Sequence, residues 1–162
     1  MSKHRQADPA RDMLGWREWV SIEGWSVPHI KAKVDTGART SSLHAFDVEP
    51  FERGGVDWVR FEVHPWQRSG SDGVLVEAPV VEYRKIKSST AEIQQRPVVL
   101  AAVSIAGVAD EIELTLTNRD EMGFRMLLGR QALRGRFAVD PGKSYLGGRP
   151  PRSVRVRNRQ TA

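Results

Sequence analysis

The sequence predicts an all-β domain of many short strands, a small barrel or sandwich, with one short helix near its C-terminal end. Three observations predict it. Apolar residues recur mostly at every second position, turn signals separate the runs at short intervals, and one late stretch breaks the two-residue period in favour of a helix. A length of 162 residues suits one ordinary domain with one hydrophobic core.

The elements follow in chain order. Residues 1–12 read as a flexible N-terminal tail: "MSKHRQADPARD" has basic residues but no apolar run after them, so it is not a secretory signal. The folded domain is expected over 13–148. "GWREWVSI" (Gly15 to Ile22) alternates around Trp16 and Val20, and "HIKAKVDTG" places Ile30, Ala32 and Val34 on one face. "DWVRFEVH" (Asp57 to His64) and "EIELTLTN" (Glu111 to Asn118) alternate in the same way. "VLVEAPVVEYRKIK" and "RPVVLAAVSIAG" carry consecutive apolar residues, as strands buried on both sides or bent over a core do. Gly54-Gly55, Ser69 to Gly73 and Ala106-Gly107 mark turns between runs. The exception to period two is "FRMLLGRQALRGRF" (Phe124 to Phe137), which reads as a buried strand, a close approach at Gly129, and one or two helical turns stopped by Gly135. Residues 149–162 read as a basic, flexible C-terminal tail.

Composition closes several function classes. The proportions, 40% hydrophobic and 28% charged, belong to a soluble globular protein. No window approaches the roughly 18 consecutive apolar residues of a spanning helix, so no membrane partner is expected. With no cysteine, disulfides, thiolate metal sites and thiol nucleophiles are excluded, and a cytoplasmic location is the default expectation. The net charge of +5 resides in the five arginines of "RPPRSVRVRNRQTA"; the rest of the chain balances 20 basic against 20 acidic residues. Such a tail is ordinarily a solvated segment, so nucleic acid is not the expected partner.

The chemistry-bearing residues narrow quickly. His4, His29, His44 and His64 are isolated, without the HExxH spacing that puts two ligands on one helical face. Gly142-Lys143-Ser144 resembles the end of a phosphate loop, but Phe137 occupies the position of its first glycine. No metal and no cofactor are therefore expected. What remains is "VDTGA" (Val34 to Ala38). The run Ile30, Ala32, Val34 delivers Asp35 to the end of a buried strand, where a carboxylate needs partners. Gly37 permits a turn whose backbone N–H groups can supply them, and Thr36 can lock that turn. The apolar pair and glycine of "MLLGR" can pass the Asp35 loop with little bulk.

Taken together, "VDTGA" and "MLLGRQAL" (Met126 to Leu133) resemble a retropepsin, the one-lobe aspartic protease of retroviruses. With "GWREWVSI", "KAKVDTGARTSSLHA", "EIELTLTNRDEM" and "GRFAVDPGKSYLGG", the chain resembles the bacterial RimB-type retropepsin-like endopeptidases, a family also labelled ATP-dependent zinc proteases, over about Gly15 to Gly148. The resemblance implies a small closed retropepsin-like barrel and an aspartic endopeptidase whose dyad joins Asp35 to its mate in a homodimer. Two carboxylates about 3 Å apart share one proton, one acting as base on a water and the other as acid toward the substrate. By the same resemblance Thr36 bonds across the two-fold axis, Gly37 offers its backbone to substrate, and Ala38, Arg39 and Arg130 line the cleft. Asp110, Asp120 and Asp140 lack a comparable glycine turn and rank below a dimer mate. Viral enzymes carry an acid where this chain has Arg39, so the usual ion pair to Arg130 is lost; Arg39, with Arg130 or Lys33, is then expected to select acidic peptides. RimB-type proteins are associated with a RimK-type glutamate ligase acting on a ribosomal protein, which implies a glutamate-tailed substrate. "EYRKIKSST" (Glu82 to Thr90) is the candidate flap.

Overall fold

In the computed structural model, which describes residues 12–87, 92–118 and 123–160, the period-two runs are strands. In chain order they are β1 (Met13–Leu14), β2 (Arg17–Ile22), β3 (Val27–Val34), β4 (Ser41–Arg53), β5 (Val56–Val63), β6 (Val74–Pro79), β7 (Glu82–Lys87), β8 (Ile93–Ile105), β9 (Val108–Thr117), β10 (Met126–Leu128) and β11 (Ala138–Val139). Helix α1 (Arg130–Leu133) follows β10, and α2 (Arg152–Arg159) follows β11. Gly54 and Gly55 turn β4 into β5 with φ of 60° and 77°, the left-handed region that a two-residue hairpin demands.

Strand β10 completes the architecture. It pairs in parallel with β3 and antiparallel with β4, so the order β10-β3-β2-β8-β9-β4 returns to β10 as a ring-like sheet. Strands β5 and β6 extend this sheet beyond β4, β7 extends it from β8, and β1 and β11 form a separate parallel pair. Inside the ring lie the alternating residues of each strand: Val20 and Ile22, Ile30 and Ala32, Leu43, Val103, Leu114, Met126 and Leu128. Removing this apolar surface from water is the main drive for closure, at roughly 25 cal/mol per Å².

Helix α1 stands where "RQAL" predicts it, and Gly135 follows it at φ 77°. The C-terminal residues differ from the flexible tail read in the sequence. Residues 152–159 are helical, and the buried Asn158 accepts a hydrogen bond from Gln67 N at 3.0 Å while donating to Gln67 Oε1 at 2.8 Å. Arg157 pairs with Asp72, which also accepts from Trp66 Nε1 at 2.8 Å. These polar contacts with the 66–73 loop, and not an apolar stripe, hold α2.

Candidate active site

Strand β3 ends at Val34, whose N–H donates to Trp16 O at 2.8 Å, and the next N–H, of Asp35, donates to Leu128 O at 2.9 Å. The carboxylate is thereby fixed where β3 meets the end of β10. Asp35 is half-buried. Its Oδ1 accepts the N–H groups of Gly37 at 2.9 Å and Ala38 at 3.2 Å, which is the glycine turn expected from "DTG". Both bonds go to Oδ1, so Oδ2 stands outside the turn's hydrogen bonding. Thr36, Gly37 and Arg39 are exposed at the tip, and Ala38 is half-buried.

The second motif grips this loop from behind. A Cβ on Gly129 would lie 2.3 Å from Thr40 O and 2.9 Å from Ala38 O, so only glycine lets the chain pass here. The N–H of Gly129 donates to Ser41 Oγ at 3.0 Å, and the first N–H groups of α1 reach back to the loop: Arg130 N to Ala38 O at 2.8 Å, Gln131 N to Arg39 O at 3.1 Å. Helix N-termini have such unsatisfied donors to offer.

Arg130, expected to line the cleft, turns its guanidinium back onto the loop. Its Nη1 donates to Thr36 O and Gly37 O, both at 3.1 Å, so the guanidinium clamps the loop within the chain. Two carbonyls occupy the role that an acid two residues after the glycine would have filled. One of the two is the carbonyl of Gly37, whose backbone the resemblance assigns to substrate. Beside this clamp lies a groove of about 360 Å³ between Thr36, Arg130, Arg134, Leu133, Phe137 and Val139.

The other acids have different work. Asp110 pairs with Arg136 at 3.1 Å, and Asp120 lies outside the described residues; Asp140, contrary to the expectation from the sequence, makes a glycine turn of its own, its Oδ1 accepting Gly142 N at 2.9 Å. The "DPGKS" segment is a turn: Lys143 O accepts Trp16 N at 2.9 Å and Ser144 Oγ accepts Arg17 Nε at 3.1 Å. Of the histidines, His4 lies outside the described residues, while His44 and His64 each stack on the Phe46 ring, with centroids 4.1 and 3.7 Å from its own. Among the described residues no three His, Asp or Glu side chains gather closely enough to hold a metal ion. No helix among them is long and apolar enough to cross a membrane. The candidate flap begins as β7, paired with β8 and pinned by Arg84 to Glu82 at 2.8 Å and Glu113 at 2.7 Å; residues 88–91 lie outside the described residues.

Sequence reasoning missed two residues. Ser41 was one of three hydroxyl residues following the motif, with nothing to single it out. Glu18 had a signal: it sits in the inward register of β2 between Trp16 and Val20, where a charge needs an explanation. It is buried, and its carboxylate accepts the N–H groups of Gly15 at 2.6 Å, Leu146 at 3.0 Å and Gly147 at 2.9 Å, tying the last loop to the start of the domain.

Comparisons with known proteins place the fold and the family. A crystal structure of a Legionella pneumophila subsp. pneumophila str. Philadelphia 1 protein of unknown function (DUF785) superposes with a TM-score of 0.71 at 29% identity, covering 84% of this chain and 98% of that one. Proteins named probable alpha-L-glutamate ligase from Shewanella halifaxensis and Parasynechococcus marenigrum are 48% and 47% identical over 133 residues, 82% of this chain. The chain spans under a third of the length of these curated relatives, 29% and 28%. The family model of the retropepsin-like aspartic endopeptidase RimB matches residues 13–150, nearly all of the described fold, and the chain belongs to this RimB-like family.

Proposed function

We propose that the protein is an aspartic endopeptidase whose catalytic pair is Asp35 from each of two subunits, and that it acts on acidic, glutamate-rich or glutamate-tailed peptides. The observation that carries this reading is the Asp35 turn itself: a half-buried carboxylate held through one oxygen by two N–H groups, braced by Gly129 and Arg130, at an exposed loop. The sequence carries one Asp-Thr-Gly. A two-fold axis through the loop would bring two together, with Thr36 at the seam and a shared proton dividing the roles of acid and base. Arg39 stands exposed beside the turn, suited to gripping a substrate carboxylate. The glutamate preference gains support from relatives named glutamate ligases that contain a segment like this chain.

That same observation favours one second reading, a catalytically silent module that docks acidic peptides or a RimK-type ligase partner. The experiment that separates them is hydrolysis of a glutamate-tailed peptide by wild type and by Asp35→Asn, in excess chelator and without ATP. The peptidase reading predicts cleavage by wild type and at least a thousandfold loss in the variant. Binding without cleavage by either protein would select the silent module.

A further inference from the structure

A second feature of the surface stands apart from the Asp35 turn. Five cations, Arg17, Lys31, Arg149, Arg155 and Arg159, surround a groove of about 250 Å³ with no acid among the described residues that line it. Two rings, Trp19 and Tyr145, complete the walls.

The groove is built and not merely crowded. Tyr145 holds a left-handed backbone, φ 57°, which a bulky residue adopts only when its surroundings enforce it. Here the enforcement is Tyr145 N donating to Arg17 O at 3.0 Å, and Glu18 accepting the next two N–H groups. So placed, the Tyr145 ring meets three cations: Arg17 Cζ at 5.0 Å, Lys31 Nζ at 5.3 Å and Arg149 Cζ at 5.1 Å from its centroid. Lys31 lies over Trp19 as well, at 5.3 Å. Such contacts orient the cations but leave their charge uncancelled. On the α2 side, Arg155 Nε is buried with no hydrogen-bond partner among the described residues. A buried N–H donor without an acceptor is costly, and an anion in the groove that Arg155 lines would offer one.

We infer that this groove is an exosite for a run of carboxylates in an acidic peptide, the substrate class of the function proposed above, on which this inference rests. Two observations favour a peptide over nucleic acid. Lys31 lies four residues before Asp35 on the same outward register of β3, roughly 13 Å along a strand, so about four extended residues link an anchored acidic run to the Asp35 turn. The rings already carry cations, whereas single-stranded nucleic acid is held by bases stacking on open aromatic faces.

The test is fluorescence anisotropy with the full chain carrying Asp35→Asn, so that binding is read without cleavage. The probes are labelled hexaglutamate and a labelled oligouridylate of equal charge. The inference predicts that hexaglutamate binds more tightly than the oligouridylate, and that Lys31→Ala and Arg155→Ala each weaken hexaglutamate at least tenfold. Arg53→Ala, remote from the groove, should leave affinity unchanged, and matched melting curves confirm folding; Lys31→Ala, on a strand surface, decides the matter if Arg155→Ala unfolds. Three results overturn the inference: equal affinity in the groove variants and parent, equal weakening by Arg53→Ala, or tighter binding of the oligouridylate. Because the read-out is binding, loss in the groove variants supports the exosite even if wild type cuts nothing, and cleavage without such loss supports the peptidase alone.

Discussion

Arg130 shows how one side chain joins the two motifs of the site. It begins α1, next to the obligatory Gly129, and its guanidinium spans the carbonyls of Thr36 and Gly37. The clamp holds the loop that carries Asp35 through two of its carbonyls, which under the proposed function makes Arg130 a positioning residue. Replacing Arg130 by Ala should lower kcat about ten- to a hundredfold, the size of effect that a small misplacement of reacting groups produces. Stability should change by about 0.5 kcal/mol or less, since the side chain is exposed. Lys offers a point charge in place of a fork and should restore little; kinetics and melting of both variants check this. At this scale "VDTGA" announced the turn because its chemistry is local: an acid, a glycine two residues later, and their N–H groups. The actual partners of Arg130 were not legible, because backbone carbonyls have no signature in a sequence.

Strand β10 is only three residues long, yet it closes the ring and leads directly into the loop contact. Its last step depends on Gly129. Gly129→Ala should therefore cost stability, about 1–3 kcal/mol as overpacking of a tight site usually does, because the atoms in the way are the Thr40 and Ala38 backbone. Urea unfolding measures it, and activity should fall by more than the folded fraction does, since Asp35 N also bonds to this segment. The strands and α1 could be read from the sequence because burial imposes a period on each of them. Helix α2 could not. Its sequence, "RSVRVRNR", has no broad apolar stripe, and what holds it is a set of single polar partners, Gln67 and Asp72, some 90 residues away. Glu18 escaped for a related reason: its three N–H partners come from both ends of the domain.

For the whole molecule, two partly buried histidines predict a stability that depends on pH. Burial lowers the pKa of His29. In His64 burial, then the positive charge of Arg125 and His44, outweighs the opposing pull of Glu62 and Asp47, so its pKa is lowered too. Below about pH 6.5 the unfolded chain then binds more protons than the folded one, and stability falls with pH until the folded histidines also protonate. Urea midpoints should drop between pH 7.5 and 5.5, and His29→Gln with His64→Gln should flatten that slope. At the same scale, the proposed dyad requires a second chain, because the sequence holds one Asp-Thr-Gly. The most direct measurement is subunit mixing: wild type and Asp35→Asn, equilibrated at equal concentration and assayed on the glutamate-tailed peptide. If each site draws Asp35 from two chains, activity follows the square of the wild-type fraction, and about a quarter of it survives in the equal mixture. Survival of about half, in proportion to wild type present, would contradict the shared dyad and place the whole chemistry within one chain.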